Sequence, residues 1–256
     1  MEAGNSRAAD MSEHGAMLSE TASRIFKDAG SSTVGEAEQA IREAGLADVM
    51  VREADGGFGG GFEDANRIFF AAGEHALEFP IAEAVMDAAS KAQGWNAEKK
   101  FYAMALARAG QIAGAISTSL TLSVEYTRQR QQFGKPLASF QAIQQQLAVL
   151  AEEAAASRAA ASAAARAADR GEATFEIASA KLRANMAAGQ AASIAHQVHG
   201  AIGFTKEYDL QKFTRRLWAW RSEYGNDRHW ADAIGKLAAS RGADGFWPGL
   251  TSGFAA

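Results

Sequence analysis

Apolar positions in this chain recur every three or four residues over long stretches, and no set of segments alternates as half-buried strands would. Met17 to Lys27 and Val34 to Ala44 carry the helical spacing over short lengths and predict two short helices. From Asn96 to Arg130 there is no proline. Phe101, Ala105, Ala109, Ile112, Ile116, Leu120 and Val124 form a stripe there at spacings of three and four, which predicts one long helix. Pro136 stops its continuation, and Ser139 is placed to cap a second long helix through Gln144, Leu147 and Leu150 to Arg170, with Gly171 ending it. Thr174 opens a third, through Phe175, Ala178, Leu182, Met186 and Ile194 to Gly200. Further helices are expected at Leu210 to Ser222 and, capped by Asn226, from Asp227 to Ala239.

The Ala-rich tract inside the second long helix lets neighbouring helices approach closely, so the expected product is a tight antiparallel bundle. The pattern therefore predicts an all-α protein in two parts: an N-terminal helical domain over 12–95 and a long-helix, four-helix-bundle-like domain over 96–240. The first dozen residues, small and polar, are expected to be disordered.

Composition narrows the function classes. The chain has 256 residues, 48% hydrophobic and 22% charged, values ordinary for a globular protein. A formal charge of −4 provides no large basic field for nucleic acid. Arg215, Arg216, Arg221 and Arg228 do lie close together, and read as a solvated helix face. No apolar run is long enough to span a bilayer, and Met1 to Ala9 lacks the apolar core of a secretory signal, so a cytoplasmic location is the expectation. Without cysteine there are no disulfides, thiolate metal sites or Cys nucleophile.

Several candidate sites are weak. Gly56, Gly57, Gly59, Gly60 and Gly61 form a loop ahead of a helix with Glu63 or Asp64 in its first turn. The G-x-G-x-x-G spacing fails, since counting from Gly57 the last position is Phe62, and no strand precedes it; the loop reads as a surface turn. His196 and His199 have a metal-like i, i+3 spacing but no accompanying Glu-x-x-His pair, and no metal site is assigned. No Ser stands in a nucleophile-elbow context. Glu152 and Glu153 are adjacent on a helix and point in different directions.

Two corners between helices carry more. In the first, Arg130 offers a planar guanidinium for bidentate phosphate contact, Phe133 a ring face for a base, and Gln141 an amide at the opening of the next helix. In the second, Gln197 comes at a helix end and is followed by Gly200 and Gly203, which permit a sharp turn and close backbone approach to a phosphate. On these residues alone, a dinucleotide clamp and a pair of ordinary interhelical turns both remain open.

The first corner reads R-x-x-F-G-K-P-L-x-x-F-Q-x-x-Q-x-x-L-A, and after one long helix the second reads Q-x-H-G-x-I-G-F-T-x-E. In residue types, order and spacing, Phe101 to Ala239 resembles the C-terminal half of an acyl-CoA dehydrogenase; "IREAGLADVMVREADGGFGGGFEDANRIFFAAGEH" more loosely resembles that family's N-terminal helical domain. The resemblance implies FAD as cofactor. It gives Arg130, Phe133, Gln141, Gln197, Gly200 and Gly203 contact with its ADP portion across a subunit interface, with Ala201 where a second Gly is usual.

Two departures shape the functional expectation. The family's middle β-domain, which covers the flavin ring, has no segment here to encode it: "EFPIAEAVMDAASKAQGWNAEKKFYAMALARAG" runs almost directly into the long helix. The family's catalytic Glu removes an α-proton while hydride passes to the flavin. At its commonest position this chain has Tyr224 before Gly225, with Glu223 one residue earlier as a weak candidate; at the other known position it has Met104 and Ala105. No catalytic residue is assigned with Glu223 set aside. The resemblance thus implies a small subunit of a heteromeric acyl-CoA dehydrogenase, inactive alone, in an α2β2 assembly with a larger catalytic partner. Its substrate would be a bulky, steroid-like acyl-CoA and its electron acceptor an electron-transfer flavoprotein. The alternatives are a minimal stand-alone enzyme using Glu223 and an FAD-free helical scaffold.

Overall fold

A computed structural model describes residues 2–252, with side chains for 15–251. Its helices are α1 (Glu2–Ala29), α2 (Val34–Glu43), α3 (Phe62–Glu74), α4 (Ile81–Gln93), α5 (Ala97–Gln129), α6 (Gln141–Arg170), α7 (Thr174–His199), α8 (Leu210–Ser222) and α9 (Asp227–Ser252). Strand among the described residues is confined to a hairpin, Gln131–Gln132 against Lys135–Pro136. The protein is all-α. Residues 94–96 alone separate α4 from α5, so the family's middle β-domain has no counterpart here.

The helix ends show which local signals operate. Thr33 and Glu36 form a reciprocal capping box at α2, and Asn96 Oδ1 accepts from Lys99 N at 2.8 Å to start α5. Asn226 starts α9 in the same way, accepting from His229 N at 3.0 Å. Ser139 does not cap α6. The turn Leu137–Ser139 is a 3-10 helix, and Phe140 holds the cap position without a side-chain bond, because the hairpin carries the chain one residue further before the helix begins. At the other extreme α9 passes Ala239 and continues to Ser252 across a break at Gly242, where φ is +64°. The first dozen residues also depart from expectation: α1 begins at Glu2, in a stretch whose Ala, Met and Glu residues favour helix.

Helix α5 is the centre of the molecule. All of Ala103 to Ile116 is buried, not only the stripe of the sequence pattern, because α3, α6, α7 and α8 surround it. Small residues make that possible. A Cβ on Gly114 would overlap the carbonyl of Phe70, and one on Gly73 the carbonyl of Gln111, so α3 and α5 cross with their backbones in contact. Two clusters of buried side chains share this helix. One gathers Leu106, Ile112 and Ile116 with Leu150, Leu217 and Trp230; the other gathers Met104 with Phe26, Ile41, Ile68, Phe69 and Met86.

The glycine loop before α3 has a structural use. Asp169, near the end of α6, accepts from the amides of Phe62 at 2.6 Å and Glu63 at 2.9 Å. A Cβ on Gly61 would collide with that carboxylate. The N-terminus of α3 is thus capped by the chain's own acid from more than a hundred residues away.

Candidate cofactor-facing site

The two corners lie at the same end of the bundle. Tyr126, near the end of α5, stacks on His199, the last residue of α7, with ring centroids 4.6 Å apart. His199 Nδ1 donates to Ala195 O at 2.7 Å, and its Nε2 is 3.3 Å from the Tyr208 hydroxyl. Burial pushes this imidazole toward the neutral form. The histidines of the i, i+3 pair thus have separate partners: His196 Nε2 is 2.9 Å from Thr214 Oγ1 and its ring stacks on Phe204 at 3.9 Å.

At the first corner the backbone is tightly held and the side chains are not. Arg130 N donates to Tyr126 O and Leu137 N to Arg130 O, both at 2.8 Å. The Arg130 guanidinium is exposed and has no ion pair among the described residues. Phe133 sits at φ +54°, an uncommon conformation for a side chain of its size, with 91% of its surface exposed. Phe140 meets it edge-on at 6.2 Å and receives Lys135 Nζ at 4.4 Å from its ring centroid. Gln141 is exposed in the first turn of α6.

At the second corner Gly200 has φ +65° and ψ −145°, a conformation essentially restricted to glycine. A Cβ there would meet nothing within 4 Å, which leaves the backbone open to approach from outside. Gly203 differs. It is buried, and a Cβ would press on His199 Cβ at 3.0 Å and Leu210 Cδ2 at 3.1 Å, so its bare backbone serves the turn's packing. Gln197 is exposed beside them. A groove of about 940 Å³ between α7 and α8 continues from this corner, with Phe204, Trp218, Lys206 and Arg215 on its walls. The sequence alone does not place these four at the site. The signal was thin: Phe204 and Lys206 stand inside the quoted motif, but only the packing of α8 brings Arg215 and Trp218 beside it.

The far end of α8 is organised in the opposite way. Lys181, fully buried, donates from Nζ to Asn185 Oδ1 at 2.5 Å, Trp220 O at 3.1 Å and Gly225 O at 3.3 Å. It thereby closes the C-terminus of α8 and the loop after it; desolvation pulls its pKa down to about 7. Trp230 Nε1 donates to the carbonyls of Tyr224 and Gly225, each at 3.1 Å. Glu223 accepts from Arg108 Nε at 2.6 Å, while Arg108 Nη2 binds Glu83 on α4 and Nη1 reaches Gln111 Oε1 at 2.5 Å. Glu223 therefore pairs with Arg108 rather than with its neighbour Arg221, which binds Asp227. Tyr224, at φ +51°, packs edge-on against Phe101 at 6.3 Å. Loop 223–226 is a locked joint.

An all-helical bundle with two open polar corners at one end and no strand layer defines the class; the family follows from comparison. The family described as "Acyl-CoA dehydrogenase, C-terminal domain" matches residues 92–236, more than half of the chain. The protein belongs to the acyl-CoA dehydrogenase family. Among curated relatives, acryloyl-CoA reductase (NADH) of Anaerotignum propionicum is 37% identical over 106 residues, 41% of this chain and 27% of that protein. Acyl-CoA dehydrogenase IpdE2 of Mycobacterium tuberculosis is 38% identical over 112 residues, 44% of this chain and 34% of its own length. The chain thus spans about a quarter to a third of these relatives. Among solved structures, a chain of the Tcur3481-Tcur3483 steroid ACAD shares the fold over 90% of this chain and 98% of its own, with TM-score 0.84 and 17% identity. The ChsE4-ChsE5 complex of Mycobacterium tuberculosis matches over 91% and 98%, with TM-score 0.78 and 15% identity.

Proposed function

We propose that this chain is the smaller subunit of a heteromeric, FAD-dependent acyl-CoA dehydrogenase and completes the cofactor site of a larger catalytic partner, in an α2β2 assembly. The observation that carries the reading is the contrast along α8. Exposed binding groups stand at one end, and at the other the loop where the family keeps its base is tied down through the Glu223 carboxylate and the Tyr224 and Gly225 carbonyls. FAD, when bound, supplies the hydride acceptor for α,β-desaturation of an acyl-CoA.

The residues of this chain fit the dinucleotide end of that cofactor. Arg130 is free to make a bidentate contact to a pyrophosphate oxygen, and Phe133 offers an uncovered ring face. Gly200 leaves its backbone unobstructed, Gln141 and Gln197 supply exposed amides, and Gly203 shapes the turn that presents them. The reaction's proton, by contrast, has no acceptor here: the Glu223 carboxylate is committed to Arg108 in a clamp reaching Glu83. We therefore place the base and the flavin-ring pocket on the partner. In this reading 96–240 is the cofactor-facing domain and 12–95 supports it. Names among the structural neighbours, a steroid ACAD and the ChsE4-ChsE5 complex, support an unequal pair acting on a bulky, steroid-like acyl-CoA. An electron-transfer flavoprotein is the expected oxidant of the reduced complex.

The test is co-purification with a neighbouring dehydrogenase subunit, followed by a flavin spectrum and a subunit count. One FAD per unlike pair is expected, with no acyl-CoA oxidation by this chain alone. Arg130→Ala should cost a charge-assisted contact of about 1.5–3 kcal/mol, or roughly tenfold to a hundredfold in FAD retention. Unchanged flavin occupancy in that variant overturns the assignment.

A further inference from the structure

The arginine cluster that the sequence reads as a solvated helix face is divided by the fold. Arg221 bonds Asp227, with 2.5 Å from Nη2 to Oδ2, and Arg228 approaches Asp232 at 3.9 Å. Arg215 and Arg216 have no ion pair among the described residues. Both border a cleft of about 600 Å³ between α8, the α1–α2 connection and the α3–α4 connection. Its floor is apolar, built from Phe26, Ala37, Leu77 and Phe79. Lys212 stands at the rim, paired with Asp209 at 2.7 Å, and Glu78 lies on the cleft wall beyond ion-pair distance of either arginine.

Arg216 is the unusual member. It is half-buried, and the hydrogen bond it makes is one from Nη1 to Lys212 O at 3.1 Å. Burial disfavours its charge, and Arg215 beside it does so further, against a partial offset from Glu78. A guanidinium drawn partly out of water normally has a carboxylate or phosphate partner, since otherwise its desolvation is uncompensated. The cleft also has the size typical of small-molecule sites, which combine apolar walls with a few polar anchors. His75, at its edge, is held by Ser23 at 2.7 Å and shifted toward the neutral form by burial, so it adds no second charge.

We propose that this cleft is a binding site for an anionic amphiphile, whose carboxylate or phosphate head is held by Arg216 and Arg215 while its apolar body lies on Val34, Leu77 and Phe79. The cleft lies on the face of α8 next to the groove at Gly200, sharing Gln211 and Arg215 with it, and the inference is independent of the flavin reading. Arg215 borders both spaces, so an occupant of the cleft would also set the position of a groove wall.

Calorimetric titration of the full chain with dodecyl phosphate, below its micelle concentration, tests this. Dodecanoate, dodecanol and inorganic phosphate serve as comparison probes. Saturable one-to-one binding of the two anionic amphiphiles is expected, with dodecanol and inorganic phosphate each much weaker. Arg216→Gln should weaken dodecyl phosphate about tenfold or more, as loss of a charge-assisted contact does. Ala219→Trp, at an exposed position on the cleft wall, should block it. Arg130→Ala should leave it unchanged. Helical content measured for each variant separates lost binding from lost folding. Equal binding of dodecanol, equal binding of inorganic phosphate, no saturable binding, or full binding by a folded Arg216→Gln or Ala219→Trp would each overturn the proposal.

Discussion

Helix α8 begins beside an open polar corner and ends in a closed one, and the two ends show how one fold leaves groups free at one place and spends them within the chain at another. At the start, Gln197 and, across the bundle end, Arg130 face outward with side-chain hydrogen-bonding capacity unspent, beside the exposed Gly200 and the uncovered ring of Phe133. At the finish, Lys181, Asn185, Trp230 and Arg108 each direct a donor onto loop 223–226. Unspent groups at a surface cost little because water satisfies them, whereas buried donors such as those of Lys181 and Asn185 must find partners within the chain. An outward-facing set of this kind is suited to a ligand, and an inward-facing set to rigidity.

The largest effect should come from breaking the closed end. Lys181→Met leaves Trp220 O and Asn185 Oδ1 buried without their donor, and should destabilise the chain by about 4 kcal/mol in urea unfolding. An unfolding midpoint unchanged from wild type would mean that the joint is not what holds the loop.

A pH dependence sharpens the same point. Lys181 loses its proton near 7 in the fold, whereas an unfolded lysine keeps it to about 10. Between those values the unfolded chain binds the extra proton, so Lys181's contribution makes stability rise with pH across that window. The difference in unfolding free energy between wild type and Lys181→Met should therefore grow from about pH 6.5 to pH 9.5. A constant difference would place the buried amine's pKa near its ordinary value.

Variants at the open end should be almost silent in stability. Phe133→Gly removes a left-handed side chain and should stabilise the isolated chain by about 1 kcal/mol, while reducing flavin retention in the complex. Arg130→Ala should shift stability by less than about 0.5 kcal/mol, since its exposed guanidinium has no ion pair among the described residues. A large loss of thermal stability in either variant would show that the corner is structural and dissolve the contrast.

Much of the scaffold was legible. The proline-free stretch from Asn96 to Arg130, the breaks at Gly171 and Gly200, and the Asn226 cap mark helix ends that the structure places within a residue or two. These signals are local: a cap or a breaker acts through its immediate neighbours. The hairpin that displaces the start of α6 to Gln141 was missed because two-residue strands leave no pattern to read. The stripe on α5 marks only part of its buried surface, since Ala and Gly look neutral on a helix until neighbouring helices close on every face. Of the site, the open corners were visible as motifs. The locking residues were not, because Arg108 and Lys181 are only charged letters in Ala-rich helices until Glu223 and Gly225 arrive from far along the chain.

By itself, then, the order of residues determined that the chain is helical, where its long helices stop, and which two turns carry groups apt for a phosphate and a base, because periodicity and turn chemistry are properties of neighbours. Only the tertiary arrangement decided that those turns share one end of the bundle and that Asp169 caps α3. It also decided that Glu223 is bound to Arg108 and that, among the described residues, two of four clustered arginines have no carboxylate partner. Each of these depends on charges or dipoles meeting across distances the chain must fold to close.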